Sequence, residues 1–165
     1  MSGERPAVYW DTCPFIAWIM DEKRAPGEMD GVQACLDDVR TGRLLMVTST
    51  ITKVELLSCK AQTPEQCQRF DEFLMRPEIV LVSVDQRIAQ KAHDLRDHYA
   101  GLGGKTLSTP DAIHLATALM YKVEQLHTFD NGKMGNCLGL LELDGDVAGE
   151  PLAIVKPGSY QLRLV

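Results

Sequence analysis

Four carboxylates, Asp11, Glu55, Asp111 and Asp130, fall at the ends of expected strands or on the turns that follow them, and each adjoins an apolar run. In an open parallel sheet the ligand crevice lies outside the carboxyl ends of the strands, so acids scattered through the chain can converge there. Clustered carboxylates repel, and each raises the pKa of its neighbours unless a cation or hydrogen-bond donors offset the charge. Magnesium and manganese prefer oxygen ligands, and Mg²⁺ usually keeps several waters while taking carboxylates together with phosphate oxygens of a substrate. Four acids in a chain with only four histidines therefore point to phosphate chemistry on Mg²⁺ or Mn²⁺ rather than to zinc. Each acid also has a plainer reading alone. Asp11 and Asp130 could be turn formers, Glu55 a helix surface acid, and Asp111 a charge complementing a helix N-terminus. Their joint order is what argues for one site.

The elements that must position these acids follow from periodicity. The run 7–10 reads as a strand stopping at Asp11, and after Pro14 the residues Phe15, Ile16, Ile19 and Met20 recur at helical intervals. The polar stretch 21–30, with Pro26 and Gly27, interrupts the pattern before Val32, Cys35, Leu36 and Val39 restore a helical period that ends at Gly42. A strand over 44–47 leads to the segment 50–57, read as a helix start that turns Glu55 back toward the strand ends. Thr63, Pro64 and Gln66 form a capping box for a helix to about Leu74. The β-rich run 79–84 ends at Asp85, which can cap a helix with Ile88, Ala92, Leu95 and Tyr99 on one face. The loop 101–105 carries three glycines and is expected to be the most flexible point. Ser108 and Pro110 open a helix with Asp111 in its first turn. A strand over 126–129 ends at the turn signal Asp130-Asn131-Gly132, and 152–155 reads as a last strand. Five strands alternating with helices argue for an α/β fold, a three-layer α/β/α arrangement around a mostly parallel central sheet.

The length of 165 residues and 45% hydrophobic content suit one domain over 1–165, with 139–165 a less defined C-terminal extension carrying that last strand. The net charge of −6 argues against binding nucleic acid mainly through a broad basic face, but not against a nuclease whose acids are neutralised by metal. The five cysteines, an odd number without metal-type spacing, read as free thiols in a reducing compartment. The longest apolar run, 15–20, is far below the roughly 20 residues of a bilayer span, and the N-terminus has no signal-peptide layout. A soluble, cytoplasmic protein without membrane contact is expected.

Tyr9-Trp10-Asp11-Thr12, Ile51-Thr52-Lys53-Val54-Glu55-Leu56, Pro110-Asp111-Ala112-Ile113-His114-Leu115-Ala116-Thr117-Ala118 and Thr128-Phe129-Asp130 resemble, in order, the four acidic motifs of the PIN-domain family. The third is the most specific, an Asp followed by an alanine-rich helix that allows close packing on a sheet. The resemblance implies a metal-dependent ribonuclease, similar to the toxins of bacterial toxin-antitoxin pairs. Asp11, Glu55, Asp111 and Asp130 would be its Mg²⁺ or Mn²⁺ ligands, RNA its substrate, an antitoxin protein its partner and a homodimer its assembly. Two alternatives are a catalytically silent PIN module that binds protein or RNA and a metal-dependent phosphohydrolase of small molecules. Thr128 and Asn131 are candidates to orient Asp130 or hold a metal-bound water. Lys105 and His114 are candidate substrate contacts, with Lys53, Lys60 and Lys133 as weaker ones. Two positions after the first Asp, where many relatives carry a small polar residue, this chain has Cys13. No motif covers the acidic stretch 142–146.

Overall fold

The run Ala7–Trp10 is strand β1, and Val8, Tyr9 and Trp10 are all fully buried, so this strand lies in the interior of the sheet. Its neighbours are seen in a computed structural model that describes residues 5–57, 62–132 and 135–158. Successive side chains of a strand point to opposite faces. Val8 and Trp10 accordingly pack with Phe15, Leu36, Val39 and Phe70, whereas Tyr9 packs with Ile88, Leu95 and Leu115. Two separate cores, one on each face, are the signature of three layers.

The helices of the first core are α1 (Thr12–Ile19), α2 (Glu28–Arg40) and α4 (Pro64–Leu74), and those of the second are α5 (Gln86–Tyr99) and α6 (Thr109–Met120). Between them run β2 (Leu45–Ser49), β3 (Ile79–Val82), β4 (Gln125–His127) and β5 (Ala153–Val155), with helix α3 (Thr50–Leu57) following β2 directly. The sheet order is β3-β2-β1-β4-β5 and every pairing is parallel, for example Tyr9 opposite Val47 on one side and Leu126 on the other. The chain moves outward from β1 to β2 and β3, then returns to β4 on the other side of β1. That reversal opens the crevice between the carboxyl ends of β1 and β4 where α/β proteins bind ligands.

Local signals account for most element ends. The capping box of Thr63 and Gln66 forms, Asp85 accepts a hydrogen bond from the Ile88 amide, and Val32, Cys35, Leu36 and Val39 are buried on α2. Several boundaries differ from the sequence reading, β2 among them, which runs from Leu45 to Ser49 rather than over 44–47. Helix α1 begins at Thr12, before Pro14, because Asp11 caps it; a proline is tolerated in a first turn, where its missing N–H has no partner to lose. Strands β3 and β4 stop at Val82 and His127, short of the apolar runs that contain them. The connection from β4 to β5 carries a short 3-10 turn, Leu140–Leu143, in place of a crossover α-helix. The glycine-rich loop contains another such turn, Leu102–Gly104. Cys13, Cys35, Cys67 and Cys137 are free thiols, while Cys59, Lys60 and Lys133 lie outside the described residues. Among the described residues no helix is long and apolar enough to cross a membrane.

Strand β5 is an edge strand, with Leu152 beside it and Ile154 within it buried in the second core. Truncating a buried aliphatic side chain to Ala costs roughly 2–5 kcal/mol. Ile154→Ala is therefore expected to lower the denaturation midpoint clearly; an unchanged midpoint would mean that the extension is not part of the folding unit.

Candidate active site

Asp11 leaves the end of β1 and is the N-cap of α1, where its Oδ1 accepts the Cys13 amide at 3.1 Å. Its Oδ2 accepts the Thr128 hydroxyl at 2.5 Å, and the same hydroxyl oxygen accepts the Asp130 amide at 2.9 Å. Thr128 thus ties the ends of β1 and β4 together. It acts on the Asp11 carboxylate and the Asp130 backbone, not on the Asp130 carboxylate. Burial pushes the Asp11 carboxyl up to about 7; the charge of Asp111 adds to this, while His114 and the Thr128 and Cys13 hydrogen bonds oppose it.

Glu55 is brought to the site by the abrupt β2–α3 junction. The Thr48 hydroxyl donates to the Trp10 carbonyl at 2.9 Å and lies 3.0 Å from the Thr52 hydroxyl, which pins the first turn of α3 to β1. Glu55 Oε2 then accepts the Thr12 hydroxyl and contacts His114 Nε2 at 2.9 Å. His114 Nδ1 lies 2.7 Å from the Tyr9 hydroxyl. In the neutral tautomer with the proton on Nε2, the imidazole donates to Glu55 and accepts from Tyr9. Burial raises the Tyr9 phenol well above its ordinary value, with Asp11 and Glu55 adding to the effect, so Tyr9 keeps its proton. Burial works to raise Glu55 too, but the His114 and Thr12 contacts outweigh it and hold this carboxyl below its ordinary value.

Asp111 is the third residue of α6. Its amide donates to the Ser108 side chain at 3.2 Å, and the Ser108 hydroxyl donates back to its carboxylate at 2.5 Å. Burial raises its pKa, with Asp130 and Glu55 adding to the rise and Ser108 and His114 opposing it. Asp130 is held by the backbone that follows it: Oδ1 accepts the Gly132 amide at 3.1 Å and Oδ2 the Leu140 amide at 2.9 Å. This depends on two glycines in close approach. A Cβ on Gly139 would lie 2.1 Å from the Gly132 nitrogen, and Gly132 has φ +71°.

The four acids are thus brought to one end of the sheet from four elements, and their charges act on one another. His114, expected as a substrate contact, is 1% exposed and turned inward on Glu55 and Tyr9; its place three residues after Asp111 on a helix packed against β1 makes it a support for Glu55. Lys105 donates to both oxygens of Glu142, at 2.9 and 2.7 Å, and Lys53 pairs with Asp71. Asn131 is exposed directly after Asp130. The sequence reading missed Tyr9, Thr12 and Ser108. Ser108 was legible as a helix cap, but nothing local marks a tyrosine 105 positions from its histidine. The other histidine near the site, His127, accepts the Trp10 indole N–H at 3.1 Å, and burial pushes its pKa down to about 4, leaving it a neutral core residue.

The profile of the family described as "PIN domain" matches residues 8–133. The chain belongs to the PIN-domain family. Solved structures share the fold. VapBC2 of Rickettsia felis, bound to a DNA fragment from its promoter, aligns with a TM-score of 0.63 at 15% identity over 90% of this chain and 96% of that one. FitAcB of Neisseria gonorrhoeae aligns at 0.57 with 20% identity over 91% and 97%. VapC20 of Mycobacterium tuberculosis, a sarcin-ricin loop cleaving toxin, aligns at 0.57 with 12% identity over 76% and 91%. No curated protein matches the sequence.

The donor set of this PIN domain is oxygen-only and hard, and burial, with a smaller contribution from neighbouring carboxylates, raises two of its members, Asp11 and Asp111, which suits a divalent cation such as Mg²⁺ or Mn²⁺. Among the described residues no three Asp, Glu, His or Cys side chains close around one point as a finished metal shell would. Each carboxylate instead faces its own donors, so ion binding requires some of these contacts to be exchanged. The fit lies in the chemistry of the donors rather than in a preformed cage.

Asp11 gives a pH signature in the protein kept in chelator. Its folded pKa of about 7 lies above the ordinary 3.8 of the unfolded chain, so the folded state binds more protons between those values. Stability should therefore fall as pH rises from about 4 through about 7, because the slope follows the difference in bound protons. Glu55 has its pKa lowered from 4.5, and its contribution is lost only at still lower pH. Denaturation at pH 5, 6, 7 and 8 checks this: Asp11→Asn should flatten the profile, and a flat wild-type profile would contradict the assignment.

Proposed function

We propose that this PIN domain is a metal-dependent endoribonuclease that hydrolyses RNA phosphodiesters, with Mg²⁺ or Mn²⁺ held most directly by Asp11 and Asp111. The observation that carries the reading is that four acids from four elements stand at the end of the sheet where β1 and β4 part, with Asp111 raising the cost of ionising Asp11, and Asp130 and Glu55 that of Asp111. A bound divalent ion supplies a water of lowered pKa and neutralises charge on the phosphorus and leaving oxygens. Glu55 and Asp130 serve as further ligands, directly or through water, or orient the attacking water. Glu55 is suited to orientation because Thr12 and His114 fix its Oε2 from two sides. Asp130 is suited because backbone amides hold both of its oxygens in place. Thr128 and Asn131 support the Asp11–Asp130 side, and Lys105 steadies the loop behind Asp130 through Glu142.

By analogy with the named toxin structures, an antitoxin is the proposed partner, a homodimer the assembly and the cytoplasm the compartment. The chain 1–165 acts as one domain in this reading, its 139–165 extension included. A silent binding module has no use for a repelling acid cluster. A small-molecule phosphohydrolase would be favoured by a deep recess at the acids; a recess of about 390 Å³ among the described residues lies elsewhere, between Arg87, Lys91, Asp94, Met120 and Glu150.

Cleavage of a panel of structured and unstructured RNAs in Mg²⁺, Mn²⁺ or chelator tests the proposal. Asp111→Asn should reduce cleavage by orders of magnitude, because an amide is a poor ligand for a hard cation. The fold should survive, since Asn can keep the bond to Ser108 and the lost first-turn charge is worth about 1 kcal/mol or less. Glu65→Gln, at the exposed start of α4, is the control with unchanged rate. Near wild-type cleavage by Asp111→Asn in saturating metal would remove Asp111 from the site. Independently, Mn²⁺ at about 100 times its dissociation constant should stabilise the wild type by roughly 2.7 kcal/mol. Calorimetry without a shift at millimolar Mn²⁺ would count against any shared metal site.

A further inference from the structure

Arg24 lies in the connection between α1 and α2, a polar stretch outside the four acidic motifs. Its guanidinium carbon sits 3.9 Å from the centroid of the Phe129 ring. Phe129 stands between Thr128, which binds Asp11, and Asp130, so this cation is parked on the aromatic side chain at the middle of the site's own β4 turn.

The way Arg24 is held is not that of a packing residue. Its ion pair with Glu22 uses one nitrogen, Nη2, at 2.7 Å, and both side chains are partly exposed, 23% and 33%. Such a pair is weak and exchangeable. The Nε–H is buried and meets no acceptor among the described residues. A buried donor without a partner is a standing cost, which an incoming acceptor can relieve. The connection itself is anchored on both sides of Arg24, by the Glu22 amide to the Ala17 carbonyl at 3.0 Å and by Lys156 to Glu28 at 2.6 Å. An acidic rim must also admit a polyanion. A planar cation stacked on a ring and carrying spare donors is suited to taking a phosphate, since its fork matches two phosphate oxygens.

We propose that Arg24 is a substrate-binding residue of this site, taking an RNA phosphate beside the acid cluster by exchanging Glu22 for it while stacked on Phe129; the inference rests on the ribonuclease reading. Arg24 then does for the substrate what Lys105, bound to Glu142, is not placed to do.

The test is anisotropy of a short single-stranded RNA titrated with the Asp111→Asn protein in Mn²⁺, which separates binding from cleavage. Adding Arg24→Gln should weaken binding about tenfold and reduce the slope of log affinity against log salt by about 0.7, the loss of one single-strand phosphate contact. Arg24→Lys keeps the charge and should restore the slope with only part of the affinity. Arg43→Gln, beside the start of β2 at the opposite end of the sheet, should change neither. Unchanged affinity and slope in Arg24→Gln overturn the proposal, and so does weaker binding with an unchanged slope and a lowered thermal midpoint, which would make Arg24 a packing residue. If the wild type cleaves RNA while Arg24→Gln binds like its parent, the nuclease reading stands and the Arg24 assignment falls alone. A wild type that neither binds nor cleaves RNA overturns both.

Discussion

Like charges gathered against the dry end of a sheet repel one another most strongly where water is least able to screen them. This PIN domain meets that constraint by giving each acid separate donors. Asp11 has a hydroxyl and an amide, Glu55 a hydroxyl and an imidazole, Asp111 a serine cap, and Asp130 two amides. The donors come from different elements, so they also set where those elements lie. Thr128 fixes β4 against β1, Thr12 and His114 fix α1 and α6 against α3, and Leu140 fixes the extension against the β4 turn. The hydrogen bonds that make the cluster tolerable are thus the ones that assemble the crevice.

The sequence was most legible where the physics is local. A capping box, an Asp cap before a helical period and a proline in a first turn are each written within four residues, and α4, α5 and α6 begin where those signals stand. Strand ends were less legible, because the runs 79–84 and 126–129 continue past the last ladder pairing; Thr128 keeps its amide on the Val155 carbonyl of β5 while its hydroxyl serves Asp11. The four acids were visible as a pattern of strand exits. Their partners were not. His114 follows Asp111 by three residues, which suggests a shared outward face, yet it points into the layer between α6 and β1 because Tyr9 offers its hydroxyl there.

The segment after residue 135 lies beyond the family profile but inside the architecture. The family profile stops at residue 133, but Leu140 and Leu141 donate their amides to the Asp130 side chain and carbonyl. Asp144 accepts the Ile154 amide, which sets β5 in register. Farther on, the Pro157 carbonyl is packed so closely on Gly31 of α2 that a Cβ there would lie 2.2 Å away. The extension therefore braces both the Asp130 turn and the start of α2.

The contact between Gly132 and Gly139 bears on how relatives of this chain are to be read. With φ +71° and a Cβ that would lie 2.8 Å from the Gly139 nitrogen, Gly132 leaves no room for a side chain, and Gly139 leaves none in return. Either substitution would pry the turn open and release the two amides that grip Asp130, while all four acids remained in the sequence. Counting acids is thus an incomplete criterion for telling an intact site from a degenerate one. In a gene descended from this one, decay can begin at a residue with no functional group at all.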